Sequence, residues 1–155
     1  MNAAMGFRHT SIVIAIDDAG NARRALDYGL ELAETLRLPV RLVHVARPAA
    51  FRSADVQRID LNEVSSDGAP HVPEFELAVD LLERAMARAE GRKLEAEPVL
   101  LGGEPADGLL RYLEDCDRPM LVMGRRGQSR IQELLLGSVS DQVIRHARCP
   151  VIVIS

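Results

Sequence analysis

Aromatic residues and cysteines are scarce in this sequence of 155 residues, which has no tryptophan, two tyrosines, three phenylalanines and two cysteines. Cys116 and Cys149 lack the spacing of a metal site or a redox motif, and we interpret them as free thiols of a reducing compartment. No apolar run approaches the roughly 20 residues that cross a bilayer. Residues 1–10 also lack the hydrophobic core of a signal peptide. We therefore expect a cytoplasmic protein with no membrane partner.

An excess of positive charge is also missing. The formal net charge is −4 at pH 7, which argues against nucleic acid as a partner. The four histidines show no metal-ligand spacing, and no nucleophile–histidine arrangement can be argued from their positions. The Gly-x4-Gly-Lys-[Ser/Thr] phosphate loop and the Gly-x-Gly-x2-Gly dinucleotide motif are absent. The sequence thus predicts no catalytic residues and no metal site, and we expect His44, inside an apolar segment, to be a hydrogen-bonded core residue.

Apolar, partly β-branched segments alternate with helical patterns along the chain. The expected strands are residues 11–16, 40–45, 94–101, 119–123 and 149–154. The expected helices are residues 22–36, with Asn21 as its cap, 73–89, 105–113 and 138–147. This alternation predicts an α/β fold: a single domain over residues 1–155 with an open parallel five-stranded sheet, right-handed crossovers and helices on both faces.

Residues 47–72 break this rhythm. They contain prolines, a glycine, serines and scattered charges, and no period is sustained. A connection of this length is uncommon in a compact domain and is often functional, but a tolerated surface insertion explains it at least as well as a lid. The residues near 54–59 are compatible with a short helix, and we assign no site to the segment.

The most informative stretch follows the fourth expected strand. Gly124 and Gly127 come first, and Gly137-Ser138 then begins another helical pattern. Glycines let a ligand approach the backbone closely. A small hydroxyl residue at a helix start leaves N–H groups that can bind an anion, assisted by the helix dipole. Two such nests suit a chain of phosphates, whereas the alternative interpretation is a pair of turn glycines and a helix cap.

The spacing Gly124-x2-Gly127-x9-Gly137-Ser138 resembles that of the ATP-binding universal stress proteins. The run Leu-Leu-Leu-Gly-Ser-Val at residues 134–139 and the stretch at residues 145–151 carry the same resemblance. It implies an adenine nucleotide alpha hydrolase-like fold with strand order 3-2-1-4-5. The winding then reverses between strands one and four, where open sheets of this kind bind ligands, and Asp17 and Gly124 end those two strands.

The resemblance also implies which residues hold the nucleotide. Asp17 would accept hydrogen bonds from ribose hydroxyls, although a turn or a helix cap is an alternative role for it. The main chain of Val45 would contact adenine, and the glycine-rich segment would hold the phosphates. The implied cofactor-binding residues are Ala15, Ile16, Asp17, Val45, Met123, Gly124, Arg126, Gly127, Gly137, Ser138, Val139 and Ser140.

Three arginines, Arg125, Arg126 and Arg130, add cations that suit a triphosphate, although a solvated loop also attracts arginine. The sequence departs from the family pattern at Asp18 and Ala19, where small residues are usual, and at Arg130, where many members have glycine. Asp18 would place a second negative charge near the mouth of the pocket.

The expected ligand is ATP with Mg²⁺. The favoured hypothesis is a nucleotide-dependent regulatory or stress-response module, which can contact an unidentified regulatory protein. One alternative is a slow ATP-hydrolysing enzyme on the same fold, for which Asp17 and Asp18 are the candidate bases. The other is a member of the family that binds nucleotide weakly.

The last strand predicts an assembly. Val151–Ile154 is apolar, lies at the end of the chain, and carries no lysine or glycine that would protect an exposed edge. Pairing with the same strand of a second copy would satisfy both edges by an isologous contact. We therefore expect a homodimer, which the family resemblance also implies.

Overall fold

The computed structural model describes residues 8–18, 20–47, 57–64, 72–125 and 139–155. The strands in these ranges are β1 (Ser11–Ala15), β2 (Val40–Ala46), β3 (Gln57–Ile59), β4 (Ala96–Gly102), β5 (Pro119–Gly124) and β6 (Val151–Ile154). The helices are α1 (Gly20–Leu36), α2 (Leu61–Val64), α3 (Pro73–Gly91), α4 (Pro105–Asp115) and α5 (Val139–His146). No helix in the described ranges is both long and apolar enough to cross a membrane.

The described strands form one sheet in the order β3-β4-β2-β1-β5-β6. In sheet order, β4, β2, β1, β5 and β6 each pair in parallel with the next strand. Numbered among themselves, these five strands have the order 3-2-1-4-5, so the predicted fold and strand order are confirmed. The predicted count of five strands is wrong, because β3 adds a sixth strand to the described sheet. The sheet places β1 between β2 and β5.

The short strand β3 corrects the interpretation of residues 47–72. Residues 57–59 form an antiparallel strand on β4, with Gln57 opposite Gly102 and Ile59 opposite Leu100. The helix considered near residues 54–59 is therefore wrong for residues 57–59, and a four-residue helix, α2, follows instead. Three residues are too few to show a period of two, so the exposed edge of β4 directs this pairing rather than a local pattern.

The sheet separates two hydrophobic clusters, one on each face. Ile12 and Ile14 of β1 belong to the cluster that α1 and α3 cover. Val13 belongs to the second cluster, which includes residues of α4 and α5. All three side chains are fully buried, because successive residues of a strand point to opposite faces and both faces are covered. This explains the continuous apolar run of the first strand.

One close contact sets the position of α1 on the sheet. A Cβ atom added to Gly29 would lie 2.6 Å from Cδ1 and 2.7 Å from Cγ1 of Ile14. Real Cβ atoms do not approach other atoms so closely, and Ile14 is fully buried, with no room to move away. The missing side chain of Gly29 therefore lets α1 pack directly on β1.

We predict that Gly29→Ala destabilises the fold although it improves helix propensity. Overpacking a core costs about 1–3 kcal/mol, whereas the propensity gain is about 1 kcal/mol, so the free energy of unfolding should fall by about 1 kcal/mol. Gly91→Ala is the matched control, because no atom lies within 4 Å of its added Cβ. Urea denaturation measures both variants, and equal stability of the two would contradict the packing argument.

Candidate functional site

A cleft opens at the carboxyl ends of β1, β2 and β5, next to the first residues of α1, α4 and α5. Its position follows from the register, because Ile14 of β1 is paired with Val122 of β5 and Ala15 with Val43 of β2. The residues lining it are Ala15, Ile16, Asp17, Asn21, Ala22, Val43, His44, Val45, Pro105, Leu109, Met123, Gly124, Arg125, Val139 and Ser140.

The structure brings together every sequence-predicted site residue that it describes. These residues come from four separate segments of the chain. They are Ala15, Ile16, Asp17, Val45, Met123, Gly124, Val139 and Ser140. Arg126, Gly127, Gly137 and Ser138, and likewise Ala19 and Arg130, lie outside the described residues.

The carboxylate of Asp17 lines the cleft and also has a local role. One of its oxygens accepts a hydrogen bond of 2.8 Å from the backbone N–H of Asp18. This bond orients the carboxylate at the end of β1. The side chain of Asp18 is exposed and does not line this cleft.

His44 joins the ends of β1 and β2. Its Nδ1 lies 2.7 Å from the carbonyl oxygen of Ile16, and since a carbonyl oxygen only accepts, Nδ1 carries a proton and donates. The backbone N–H of Ile16 in turn donates to the carbonyl oxygen of Val43 at 2.7 Å. His44 is thus hydrogen-bonded, as expected, but it is half-buried and lines the cleft instead of lying in the core. Ile16 is held by both its main-chain groups.

Arg125 is held from two sides just where the glycine-rich segment begins. Nδ2 of Asn21 donates to the carbonyl oxygen of Arg125 at 2.8 Å, and Arg24 donates to Oδ1 of Asn21 at 2.7 Å. The N–H of Arg125 donates to the carbonyl oxygen of Ile154 in β6 at 2.8 Å. Asn21 lies inside α1, which begins at Gly20, and in place of the predicted cap it contacts the segment after β5.

Gly124 allows this contact between α1 and β5. A Cβ atom at Gly124 would lie 3.1 Å from the backbone carbonyl carbon and oxygen of Asn21 and 3.2 Å from the nitrogen of Ala22. Backbone atoms cannot give way as a flexible side chain does. The close approach therefore requires glycine or a shift of α1, which is a structural reason for glycine that is separate from ligand binding.

Sequence reasoning missed the contribution of α4. Pro105 and Leu109 line the cleft because α4 packs closely on β2. A Cβ atom at Gly108 would come within 2.9 Å of Cγ1 of Val45. The signal in the sequence was a glycine inside a helical pattern, which often marks a packing requirement, but the partner of that glycine is set by tertiary structure.

The chemistry of the cleft suits a ligand with an apolar ring and a polar tail. Val43, Val45, Leu109 and Met123 provide an apolar wall, while the main chain of residues 15–17 and the N-terminus of α5 provide polar groups. The first N–H groups of a helix have no intrahelical partner and favour an anion. No group of three potential metal ligands occurs among the residues that the structure describes.

Comparisons with known proteins agree with this geometry. The model of the "Universal stress protein family" matches residues 9–155. Universal stress protein YxiE of Bacillus subtilis is 28% identical over 153 residues, covering 92% of this chain and 97% of that protein. The structure of a universal stress protein from Archaeoglobus fulgidus has a TM-score of 0.70 at 26% identity and covers 96% of this chain and 100% of its own. The Archaeoglobus fulgidus protein in complex with dAMP has a TM-score of 0.67 at 25% identity, covering 95% and 98%.

We predict that Asn21→Ala loosens the segment after β5. Loss of one hydrogen bond of about 0.5–1.5 kcal/mol should lower the protection of the Arg125 amide from hydrogen exchange by about two- to tenfold. Asn62→Ala is the control, since Asn62 is an exposed residue of α2 and loses the same amide group. If the Arg125 amide exchanges equally in both variants, Asn21 does not hold this segment.

Proposed function

The chain belongs to the universal stress protein family, and we propose that within this family it is an ATP-binding regulatory module. The observation that carries the proposal is the convergence of the eight described site residues on one cleft, at the point where the winding of the sheet reverses. The relative from Archaeoglobus fulgidus that was solved in complex with dAMP supports an adenine nucleotide as the ligand.

In this proposal different residues of the cleft bind the adenine, the ribose and the phosphates of the nucleotide. The apolar wall of Val43, Val45, Leu109 and Met123 packs against adenine, and main-chain groups near Val45 bind its edge. Asp17 accepts hydrogen bonds from the ribose hydroxyls. The phosphates are held by the backbone at Gly124, Gly127, Gly137 and Ser138, by the first N–H groups of α5 at Val139 and Ser140, and by Arg126.

The proposed Mg²⁺ depends on the phosphates. Mg²⁺ binds oxygen ligands, keeps several waters, and is commonly held by substrate phosphates with one or two carboxylates. A protein cage is therefore not required, and Asp17 is the carboxylate of the described cleft residues that can take part. A Mg²⁺ ion between the Asp17 carboxylate and the phosphates would also offset the electrostatic repulsion between these anionic groups.

A regulatory role is favoured over catalysis by the surroundings of the candidate bases. A base must be within hydrogen-bond reach of the water that it activates. In this proposal the Asp17 carboxylate is occupied by the nucleotide and its Mg²⁺, and the Asp18 side chain lies outside the cleft. We propose that the bound nucleotide controls contact with a partner, which is a second copy or a regulatory protein. We also propose that the protein works in the cytoplasm, where Cys116 and Cys149 stay as free thiols.

We predict that Gly127→Ala and Gly137→Val each abolish binding of Mg-ATP, because a Cβ atom at a close-approach glycine excludes the phosphate. Isothermal titration calorimetry measures binding, and circular dichroism checks the fold. Gly91→Ala, whose added Cβ meets no atom within 4 Å, should bind as the wild type does. Wild-type affinity in both loop variants would show that this segment is only structural.

The rate of phosphate release by the same purified protein distinguishes a regulatory module from an ATP-hydrolysing enzyme. Phosphate release should be far slower than about 1 s⁻¹, the lower end of ordinary turnover. Release at several per second would instead favour an ATP-hydrolysing enzyme. Absence of any heat with millimolar ATP, ADP or AMP would overturn nucleotide binding itself.

We further propose that β6 pairs with β6 of a second copy. The N–H groups of Leu121 and Arg125 donate to the carbonyl oxygens of Pro150 and Ile154, so the main-chain groups of alternate residues face β5. Those of Val151 and Val153 then face the outer edge, because a strand repeats every two residues. All four side chains of β6 are partly exposed, and Ile144 of the adjacent α5 is 53% exposed.

We predict that Val153→Pro disrupts the dimer and leaves the subunit folded, because it removes an outward N–H that no described strand uses. Val153→Thr keeps this N–H and should remain dimeric. Ile152→Lys, which places a charge on the same strand, should also weaken the dimer. Light scattering at tens of micromolar reads the mass, and a monomeric wild type of 17.0 kDa, with and without ATP, would refute the assembly.

A further inference from the structure

A second cleft lies at the opposite end of the sheet, where β1, β5 and β6 begin. Three segments meet there. The N–H of Thr10 donates to the carbonyl oxygen of Arg118 at 3.2 Å, and that of Leu121 donates to the carbonyl oxygen of Pro150 at 2.9 Å. The hydroxyl of Thr10 also donates to the carbonyl oxygen of Asp117. These bonds hold residues 8–10, 116–119 and 146–150 around a cleft of about 580 Å³.

The cleft collects positive charge in a chain whose net charge is −4. Arg8, Arg118 and Arg148 line it, one from each segment, whereas Glu114 is the carboxylate in its described lining. Arg8 and Arg148 form no ion pair with any residue that the structure describes, and Arg118 reaches its neighbour Asp117 at 3.4 Å with both side chains largely exposed. An exposed pair of this kind contributes little, so the three guanidinium groups remain available to an anion.

His9 provides an independent observation. Its Nδ1 is buried, and it has no hydrogen-bond partner among the described residues. Buried polar atoms in folded proteins are nearly always hydrogen-bonded, and an exception often indicates a water or a ligand. His9 lines the same cleft as the three arginines, as does His146.

The two cysteines of the cleft do not oppose an anion, in contrast to the Glu114 carboxylate. Burial raises the pKa of the Cys116 thiol, and burial likewise raises the pKa of the Cys149 thiol. Both thiols line the cleft and are therefore neutral at pH 7. Leu110, Leu113 and Ala147 supply an apolar part of the wall, which suits an organic ligand better than a bare ion.

We propose that this cleft is a second ligand site, which binds a small organic anion carrying two or more phosphate or carboxylate groups. Arg8, Arg118 and Arg148 bind the anionic groups, since guanidinium matches both phosphate and carboxylate geometry. Nδ1 of His9 donates a hydrogen bond to an oxygen of the anion. The site is separate from the nucleotide cleft, and it does not depend on the proposed function.

Some of these cations have a simpler alternative role, which is to stabilise the carboxyl ends of helices. α4 ends at Asp115 and α5 at His146, and cations near the carboxyl end of a helix stabilise it through the helix dipole. That role can account for Arg118 and Arg148. Arg8 precedes β1 and belongs to no helix end, so the dipole gives no reason for its place in the cleft.

The test is a titration of the full chain with citrate and, separately, with pyrophosphate at low ionic strength, followed by amide shifts in two-dimensional NMR. We expect saturable shifts in residues 116–118 and 146–149. Arg8→Gln/Arg148→Gln should weaken binding at least about tenfold. The control Arg23→Gln/Arg111→Gln removes the same charge from exposed positions that line neither cleft, and it should bind like the wild type.

The two probes identify the anion class, since preference for citrate indicates carboxylates and preference for pyrophosphate indicates phosphates. Any of three results overturns the site. One is the absence of saturable shifts at this end of the sheet with up to about 10 mM of either probe, since a dissociation constant above that concentration is far weaker than functional affinities. Another is equal weakening in the two double variants. The third is a lowered thermal midpoint of Arg8→Gln/Arg148→Gln with unchanged binding, which leaves the helix dipole as the role of these charges.

Discussion

The pairing of β1 with β2 on one side and β5 on the other is the constraint on which the rest of the structure depends. Parallel pairing requires that each connection cross a face of the sheet, and the chain moves outward from β1 in both directions. Helices therefore cover both faces of the sheet, and the winding reverses at the carboxyl end of β1. The cleft lies there, and Asp17 borders it because it is the first polar residue after the strand.

Three glycines then set how closely the helices approach this cleft. Gly29 brings α1 onto Ile14, Gly108 brings α4 onto Val45, and Gly124 lies against the first turn of α1. A side chain at any of these positions would push a wall of the cleft outward or force the packing to shift. The shape of the cleft is thus determined largely by side chains that are missing, while Asn21 and His44 hold the strand ends by hydrogen bonds.

The parallel arrangement also places opposite ends of the helix dipoles at the two ends of the sheet. α1, α4 and α5 begin beside the carboxyl ends of the strands, so the positive ends of their dipoles face the first cleft. The carboxyl ends of α4 and α5 lie at the other end, together with Arg118 and Arg148. One end can therefore bind an anion through backbone N–H groups, and the other must use charged side chains to do so.

The sequence by itself determined the class of fold, the five long strands, the four main helices and the family. Continuous apolar runs such as residues 11–16 and the helical spacing of residues 22–36 carry that information locally, because burial on two faces or on one stripe leaves a period in the chain. The glycine spacing carried the resemblance to the family, which implied Asp17, Val45 and Gly124 as binding residues, and all three line the cleft. These residues are informative because each stands at a strand end.

Only the tertiary structure decided which side chains meet. β3 pairs with β4 through three residues, a length that shows no period. The side-chain amide of Asn21 donates to the carbonyl oxygen of Arg125, 104 positions away, instead of capping α1. Leu109 and Pro105 reach the first cleft because the missing side chain of Gly108 lets α4 pack closely on Val45. The cleft at the amino ends of the strands combines residues 8–10 with residues 116–119 and 146–150. Contacts of this kind depend on distance in space and not on spacing along the chain, so no local pattern records them.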